Sequence, residues 1–530
     1  MAILKKKIGG KNYFYEVKSY RESGKIKQKI LRYFGRIDPR KNPEAKPIIK
    51  QSVNATYRFG DVALLYHCAD KINLINTINK YMPKRQGLSH GLMIFLLAAH
   101  RLTGDKPSGN NLQQWYKTTF LPHLLNFNPE IINKNSIAYS LDCINNEERN
   151  IDHTLKIAGD IHKNSCNVLG EEGKSYFYDL TSTYFEGACC PIAKYGYNRD
   201  GIIDKLQINI GMIADKKFGF PLMTKVFEGN INDTSTMYEV LYYSKFILKK
   251  DKIFIIMDRG MGSEDNIKLL DTIKYDYIIG VSEKHSFVEE LKLKNHPNEK
   301  EWAKLKSNGK VILIKKVIKN LFGKKRFILI YYNEDAAKTK KELRDDYLSK
   351  VEKGLASIRD LTFQKAIDLT KGAKKYFVIK EEKGKVIWRK DKREINKAEI
   401  KDGKFCIMTN KDLSPEDIFK IYHSKDGIEK AFRHIKQDIN LHPTRKRLAD
   451  RVRSDIFICH IAYVLLVLAQ GLVRREKLDV FWDTISSESK EIRLLEYCSC
   501  SGKSKYDYVA NNKIQKEIVD KLKLGRYLPQ

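Results

Sequence analysis

The sequence predicts a multidomain α/β protein: a mixed sheet with flanking helices, interrupted by a β-rich insertion and preceded by a helical region. Three observations predict it. At 530 residues the chain exceeds one ordinary domain, and length alone favours roughly three or four. Apolar residues make up 42%, too many for a disordered or collagen-like chain. The hydrophobic period changes along the chain, from strand-like to helical and back, at boundaries marked by Pro, Gly and charge.

Residues 1–50 read as an N-terminal β-hairpin region: KNYFYEVKSYR, the turn ESGK, then IKQKILRYFG. Its lysines and aromatics suit a strand pair lying against a phosphate backbone, and equally a solvated edge. The linker DPRKNPEAKP follows. Residues 51–170 turn helical, with VALLYHCADKINLINTINKYM and LSHGLMIFLLAAHRLTG apolar at helical spacing. Ser108 is the expected N-cap of a helix bearing Gln113, Gln114, Trp115 and Lys117, which suits DNA reading or a plain bundle equally.

Residues 171–283 begin a sheet with SYFYDLTSTYFEG, KLQINIGMIADKKFG and FPLMTKVFEGN. A helix, DTSTMYEVLYYSKFIL, leads to strand KIFIIMDRG; a second helix, SEDNIKLLDTI, leads to strand YDYIIGVS. Residues 284–400 are basic and mixed, the expected insertion. Residues 401–480 resume the sheet with KFCIMTN, continue as one helix from about Pro415 to Asp438, and end in the apolar stretch Ile456 to Val473. That stretch nears the length of a membrane span, but it holds His460 and Gln470 and has no companion, so a buried helix is expected. Residues 481–530 are expected to form a helical tail.

Lys and Arg number 98 against 65 Asp and Glu, a net charge of +33. Such an excess favours a polyanionic partner, a lysine-rich composition being the bland alternative. Nine cysteines without zinc-ribbon spacing point to neither a disulfide framework nor a structural metal site. The opening MAILKKKIGGKNYFYEV has no apolar signal core, so a cytoplasmic location is expected.

Chemistry enters with two aspartates. Asp179 lies near the end of SYFYDL and Asp258 ends KIFIIMD; an acidic group at the end of a buried strand is costly unless a cation offsets it. Two in one sheet are what a divalent-metal site for phosphoryl transfer requires, although each alone suits a strand-end cap. The segment IYHSKDGIEKAFRHIKQDI then puts Tyr422, Lys425, Glu429 and Lys436 at offsets of 0, 3, 7 and 14. At ~100° per residue they share a helical face about 60° wide, beside an apolar stripe of Ile421, Ile428, Phe432 and Ile435. A third carboxylate beside two ammonium groups completes a metal site and a grip on phosphates. An ordinary charge-laced surface helix has the same spacing.

The pattern Y-x₂-[RK]-x₃-E-x₆-K, carried here by Tyr422, Lys425, Glu429 and Lys436, resembles the signature of prokaryotic insertion-sequence transposases with an RNase H-like DDE core. Lysine at 425 stands where that family usually has arginine, which keeps the charge and weakens a bidentate grip. YDLTSTYFEG, GFPLMTKVFEGNINDTST, IIMDRGMGSEDN and DGKFCIMTN resemble the family's blocks in order, and the opening hairpin resembles its long subgroup. The resemblance implies an enzyme that binds terminal inverted repeats and performs metal-dependent DNA cleavage and strand transfer. It implies Asp179, Asp258 and Glu429 as catalytic residues and ligands of Mg²⁺, with Mn²⁺ as substitute. Tyr422, Lys425, Lys436, Arg433 and Arg259 would contact DNA, both transposon ends and target. A homodimer on paired ends, no membrane, and a prokaryotic, nucleoid-associated setting follow from it too. It further implies a β-rich insertion between Asp258 and Glu429, where Trp388 would stack on a base or sit in a core. Tyr184 and Tyr422 would serve in positioning or packing, and Thr181 and Asp233 as accessory or capping groups. A metal-dependent nuclease without strand transfer, and a catalytically silent transposase-derived DNA-binding protein, stay open beside it.

Overall fold

The structure, a computed structural model, describes every residue except 1, 23, 24, 43–52, 106, 171–174, 188, 198–200, 203, 249–252, 298, 299, 308, 383, 425, 438, 440, 442–445, 479, 480, 499–503 and 530. Strands β1 (Ala2–Ile8), β2 (Lys11–Glu22), β3 (Lys25–Tyr33) and β4 (Val53–Arg58) open the chain. A helical stretch follows: α1 (Gly60–Lys71), α2 (Leu74–Tyr81), α3 (His90–Thr103), α4 (Leu112–Thr118), α5 (Leu121–Leu125) and α6 (Lys134–Ile144). The short strands β5 (Asn145–Asn146) and β6 (Ile151–Asp152) precede α7 (Thr154–Leu169). Next come β7 (Ser175–Tyr184), β8 (Gln207–Asp215), β9 (Pro221–Glu228), α8 (Asp233–Leu248), β10 (Phe254–Met257), α9 (Glu264–Thr272) and β11 (Asp276–Val281). The segment after them holds α10 (Ser286–Lys294), β12 (Ala303–Ser307), β13 (Lys310–Leu321), β14 (Lys324–Tyr332), α11 (Glu334–Ala356) and α12 (Phe363–Leu369). It closes with β15 (Phe377–Glu382), β16 (Lys385–Lys390) and α13 (Lys392–Lys401). Last are β17 (Lys404–Thr409), α14 (Pro415–His423), α15 (Asp426–Gln437), α16 (Ala449–Arg475), α17 (Trp482–Glu491), β18 (Arg493–Cys498), β19 (Ser504–Val509) and α18 (Lys513–Lys521).

Two compact units share these elements. One comprises Met1–Ala63, Lys117–Phe127 and Ser486–Gln530, the other Leu64–Tyr116 and Asn128–Ile485. In the first unit β1, β2 and β3 form an antiparallel sheet in that order. The β2–β3 hairpin is the expected one; β1 is an addition. Ile8 pairs with Lys11 across Gly9 and Gly10, at φ 55° and 75°, a two-residue turn that glycine adopts without strain.

The C-terminal residues correct the expected helical tail. β18 pairs with β19 on one side and β4 on the other, so this segment contributes two strands before α18. The cause is an alternation spread over short runs: Leu494, level with Tyr57, is buried while its neighbour Arg493 is exposed.

The second unit is built on a nine-stranded sheet, ordered β12-β13-β14-β17-β11-β10-β7-β8-β9. β11, β10 and β7 run parallel; all other neighbours are antiparallel. One face packs Tyr178, Met257, Ile279 and Met408 against Met237 and Leu241 of α8, Ile267 and Leu270 of α9, and Val288 and Leu291 of α10. α14, α15, α16 and α7 pack on the same sheet, α14 at β11, α15 at β7, and α16 and α7 at β9. The expected insertion therefore does not stand apart: β12, β13 and β14 lengthen the central sheet. Its remainder forms a small core of Leu348, Val351, Leu355, Ala366, Ala373 and Phe377, with Trp388 packed against it. The apolar helix α16 is buried along nearly its whole length.

Two local readings need correction. Ser108 does not cap α4; its backbone N–H donates to Asn111 Oδ1 at 2.8 Å, and the helix begins after Asn111. The single helix expected from Pro415 to Asp438 is two. Ser424 ends α14, its hydroxyl donating to the Ile421 carbonyl at 2.6 Å, a local side-chain bond that competes with helix continuation. Tyr422 thus belongs to α14 while Glu429 and Lys436 belong to α15, so the shared-face geometry does not extend to the tyrosine.

Candidate active site

Hydrogen-bond register builds the site. Met257 on β10 lies level with Tyr178 on β7, so the next residues, Asp258 and Asp179, stand side by side where β10 ends. Adjacent strands are ~4.8 Å apart, which brings the two carboxylates within reach of one cation. Both are half-buried. Asp179 alternates with Tyr178 and Leu180 of the apolar core, so it leaves the sheet on the opposite face. The Leu180 backbone N–H donates to Asp179 Oδ1 at 2.8 Å.

On the other flank of β10, Met257 lies level with Ile279 of β11, which sets Gly280 beside Asp258. α14 crosses here. The Tyr422 hydroxyl donates to Asp258 Oδ1 at 3.1 Å. A Cβ on Gly280 would overlap that hydroxyl, so the glycine is what lets the ring come this close. Burial first, then the negative Asp258, pushes the Tyr422 phenol far above its ordinary range, and it remains a donor. Tyr422 is 7% exposed and faces an aspartate.

Ring contacts hold α14 in position. Tyr331 of β14 packs on Phe405 of β17 at 5.0 Å and on Phe419 at 5.3 Å between ring centroids, and Phe419 meets His423 at 4.2 Å. Each such pair contributes about 0.5–1.5 kcal/mol beyond area burial.

Glu429 is exposed on α15, the helix packed on the strand of Asp179. Ile428, Ala431, Phe432 and Ile435 form the buried stripe, and that stripe fixes the helix rotation so that Glu429 points to solvent beside it. The expected three-carboxylate cluster is not assembled: among the described residues no group of three His, Cys, Asp or Glu side chains is close enough to hold a metal ion. The pair Asp179–Asp258 does fit a hard divalent cation, being two oxygen donors fixed side by side at a partly open strand end.

Of the other expected residues, Arg433 is exposed and Lys436 half-buried on α15, and Arg259 is exposed directly after Asp258. Lys425 lies outside the described residues. Thr181 is buried within β7, Tyr184 ends that strand half-buried, and Asp233 opens α8. Residue reading missed Gly280 and Tyr331, whose roles arise from neighbours far away in the chain. YIIG contained a faint signal, since glycine inside a strand often marks close approach.

A mixed sheet with one aspartate midway along β7 and another directly after the parallel strand β10, with helices packed on it, defines an α/β protein with a candidate site where β10 ends. Residues 179–465 match the family model described as a transposase DDE domain. That match covers more than half of the chain, and the protein belongs to this transposase family. Enzymes of the family act on DNA and use divalent metal ions. Similar solved structures include a piggyBac transposase, determined by cryo-electron microscopy as a synaptic complex with hairpin DNA. Its identity to this chain is 10% and the TM-score 0.42, over 83% of this chain and 82% of that one. No curated protein sequence matches.

Proposed function

We propose that this protein is the transposase of a prokaryotic insertion sequence, which binds the element's terminal inverted repeats and catalyses metal-dependent cleavage and strand transfer. The adjacency of Asp179 and Asp258, with the Tyr422 hydroxyl on Asp258, is the observation that supports it most directly. Asp179, Asp258 and Glu429 would hold Mg²⁺, or Mn²⁺ in its place. When bound, such an ion supplies Lewis-acid polarisation of a phosphoryl oxygen and an acidified water.

The chain's own residues do the rest. Tyr422 donates to Oδ1 of Asp258 and orients that carboxylate. Arg433 and Lys436 on α15, with Arg259 beside Asp258, offer positive charge to the phosphates flanking the scissile bond. Lys425 would join them by its place in the signature. Glu429, on the helix that rests on β7, would have to turn towards the aspartates to complete the set. A homodimer would pair the two ends.

One observation favours a second reading, a catalytically silent DNA-binding derivative: Glu429 is not grouped with the aspartates. Strand-transfer assays with 3′-OH element ends and Mg²⁺ separate the readings. Wild-type protein should yield joined product, and Asp179→Asn, Asp258→Asn and Glu429→Gln should each abolish it while retaining DNA binding. Hydrolysis without joining would leave a nuclease; undiminished product from Asp258→Asn would sink the catalytic assignment.

A further inference from the structure

The β2–β3 ribbon has properties that the paired aspartates do not use. Residues 1–40 carry twelve Lys and Arg against three Asp and Glu. Towards its tip the ribbon is uncovered on both faces: residues 18–21 and 26–32 are all exposed. Pairing sorts these side chains. Lys18 lies opposite Lys29 and Tyr20 opposite Lys27, on one face. Ser19 lies opposite Gln28 and Arg21 opposite Ile26, on the other, where Ile30 follows.

Neither face makes sense in water alone. Like charges directly across a strand pair destabilise it, as Lys18 and Lys29 must. Ile26 is 70% exposed and Ile30 51%, on a ribbon that is marginal as two strands. Edge lysines do discourage strand pairing between copies, but exposed isoleucines beside them work against that purpose.

We infer that this ribbon enters the major groove of duplex DNA. Two strands ~4.8 Å apart with their side chains match a groove about 12 Å wide, which admits a two-stranded ribbon. The Ser19, Arg21 and Gln28 face carries the hydrogen-bonding types that read base edges, and Ile26 and Ile30 meet thymine methyl groups. Lys18, Lys27 and Lys29 have long flexible stems and reach the phosphates on the groove walls, which removes the Lys18–Lys29 repulsion. This rests on DNA being the partner, as proposed above, and adds a reading element remote in sequence from the paired aspartates.

The test uses the full-length protein and a short duplex that it selects from a random-sequence pool, with a shuffled duplex as control. Lys18→Ala with Lys29→Ala should weaken both duplexes alike and lower the salt slope of log K by about 2. Arg21→Ala with Gln28→Ala should reduce preference for the selected duplex roughly 5- to 150-fold and leave the shuffled one nearly unchanged. All four positions are exposed, so thermal transitions matching wild type are expected. If the wild type binds DNA and both double variants match it, the ribbon inference fails while the DNA partner stands. If the wild type binds no duplex, both fail. Binding without any sequence preference would overturn base reading, and variants that change only oligomeric state would make the ribbon an interface between copies.

Discussion

Replacing Gly280 by alanine tests the site through one methyl group. Gly280 stands on β11 level with Asp258, and an added Cβ overlaps the Tyr422 hydroxyl while coming within 3.2 Å of Tyr422 Cζ and the Arg259 amide nitrogen. The backbone here is not left-handed, so the penalty is steric rather than conformational. Forcing a methyl into a packed place costs about 1–3 kcal/mol. Displacing the phenol also removes a hydrogen bond to a charged group, about 1.5–3 kcal/mol of positioning for Asp258. Metal-dependent cleavage by Gly280→Ala should therefore fall roughly 10- to 100-fold. Tyr422→Phe deletes the clashing oxygen, so the double variant should be more stable than the two single changes predict, by about 1–2 kcal/mol, while cleavage stays as low as in Tyr422→Phe alone. Denaturation of the four proteins, with cleavage rates on one DNA substrate, gives the cycle. A Gly280→Ala protein as stable and active as wild type, or strictly additive losses, would refute the reasoning.

Two further outcomes can be checked independently. His460 lies inside α16, 1% exposed, stacked on Phe457, with neither ring nitrogen hydrogen-bonded to any described residue. Burial, and secondarily His162, lowers its pKa from 6.5 to about 3, so the unfolded chain binds the proton first. The stability gained from keeping it neutral is complete above pH 6.5 and lost as pH falls towards 3. His460→Leu should flatten that acid limb in pH-dependent denaturation; an unchanged slope would count against it. Arg101 of α3 donates to Asp455 at 2.7 Å and to the Ile439 carbonyl at 3.1 Å, both acceptors lying near the start of α16 or just after α15. Arg101→Met leaves a mostly buried carboxylate unpaired and should cost about 3–5 kcal/mol, most of which Asp455→Leu on the same background should restore by denaturation.

Much of the site could be found by reading along the chain. Asp258 directly follows β10, as its apolar run predicted, whereas Asp179 sits midway along β7, because that strand continues through the buried Leu180, Thr181, Ser182 and Thr183. The spacing of Tyr422, Glu429 and Lys436 picked out a segment that packs on the sheet, and the stripe of Ile428, Phe432 and Ile435 is buried as that spacing required. It misjudged the tyrosine, since the break at Ser424 depends on a side chain returning to its own backbone. The C-terminal strands and the Gly9–Gly10 hairpin were missed because each is short and leans on a partner strand for its order.

Residue order dictated which carboxylates, cations and rings were available and whether each stood on a helix or a strand, for those preferences act over a few neighbours. It held no information on adjacency. That Asp179 meets Asp258, that Tyr422 reaches across 164 positions to the second of them, and that this needs a missing side chain at Gly280 follow from strand register and helix docking. Those are set by the burial of whole faces against one another, a cooperative choice that exists only once the chain is folded.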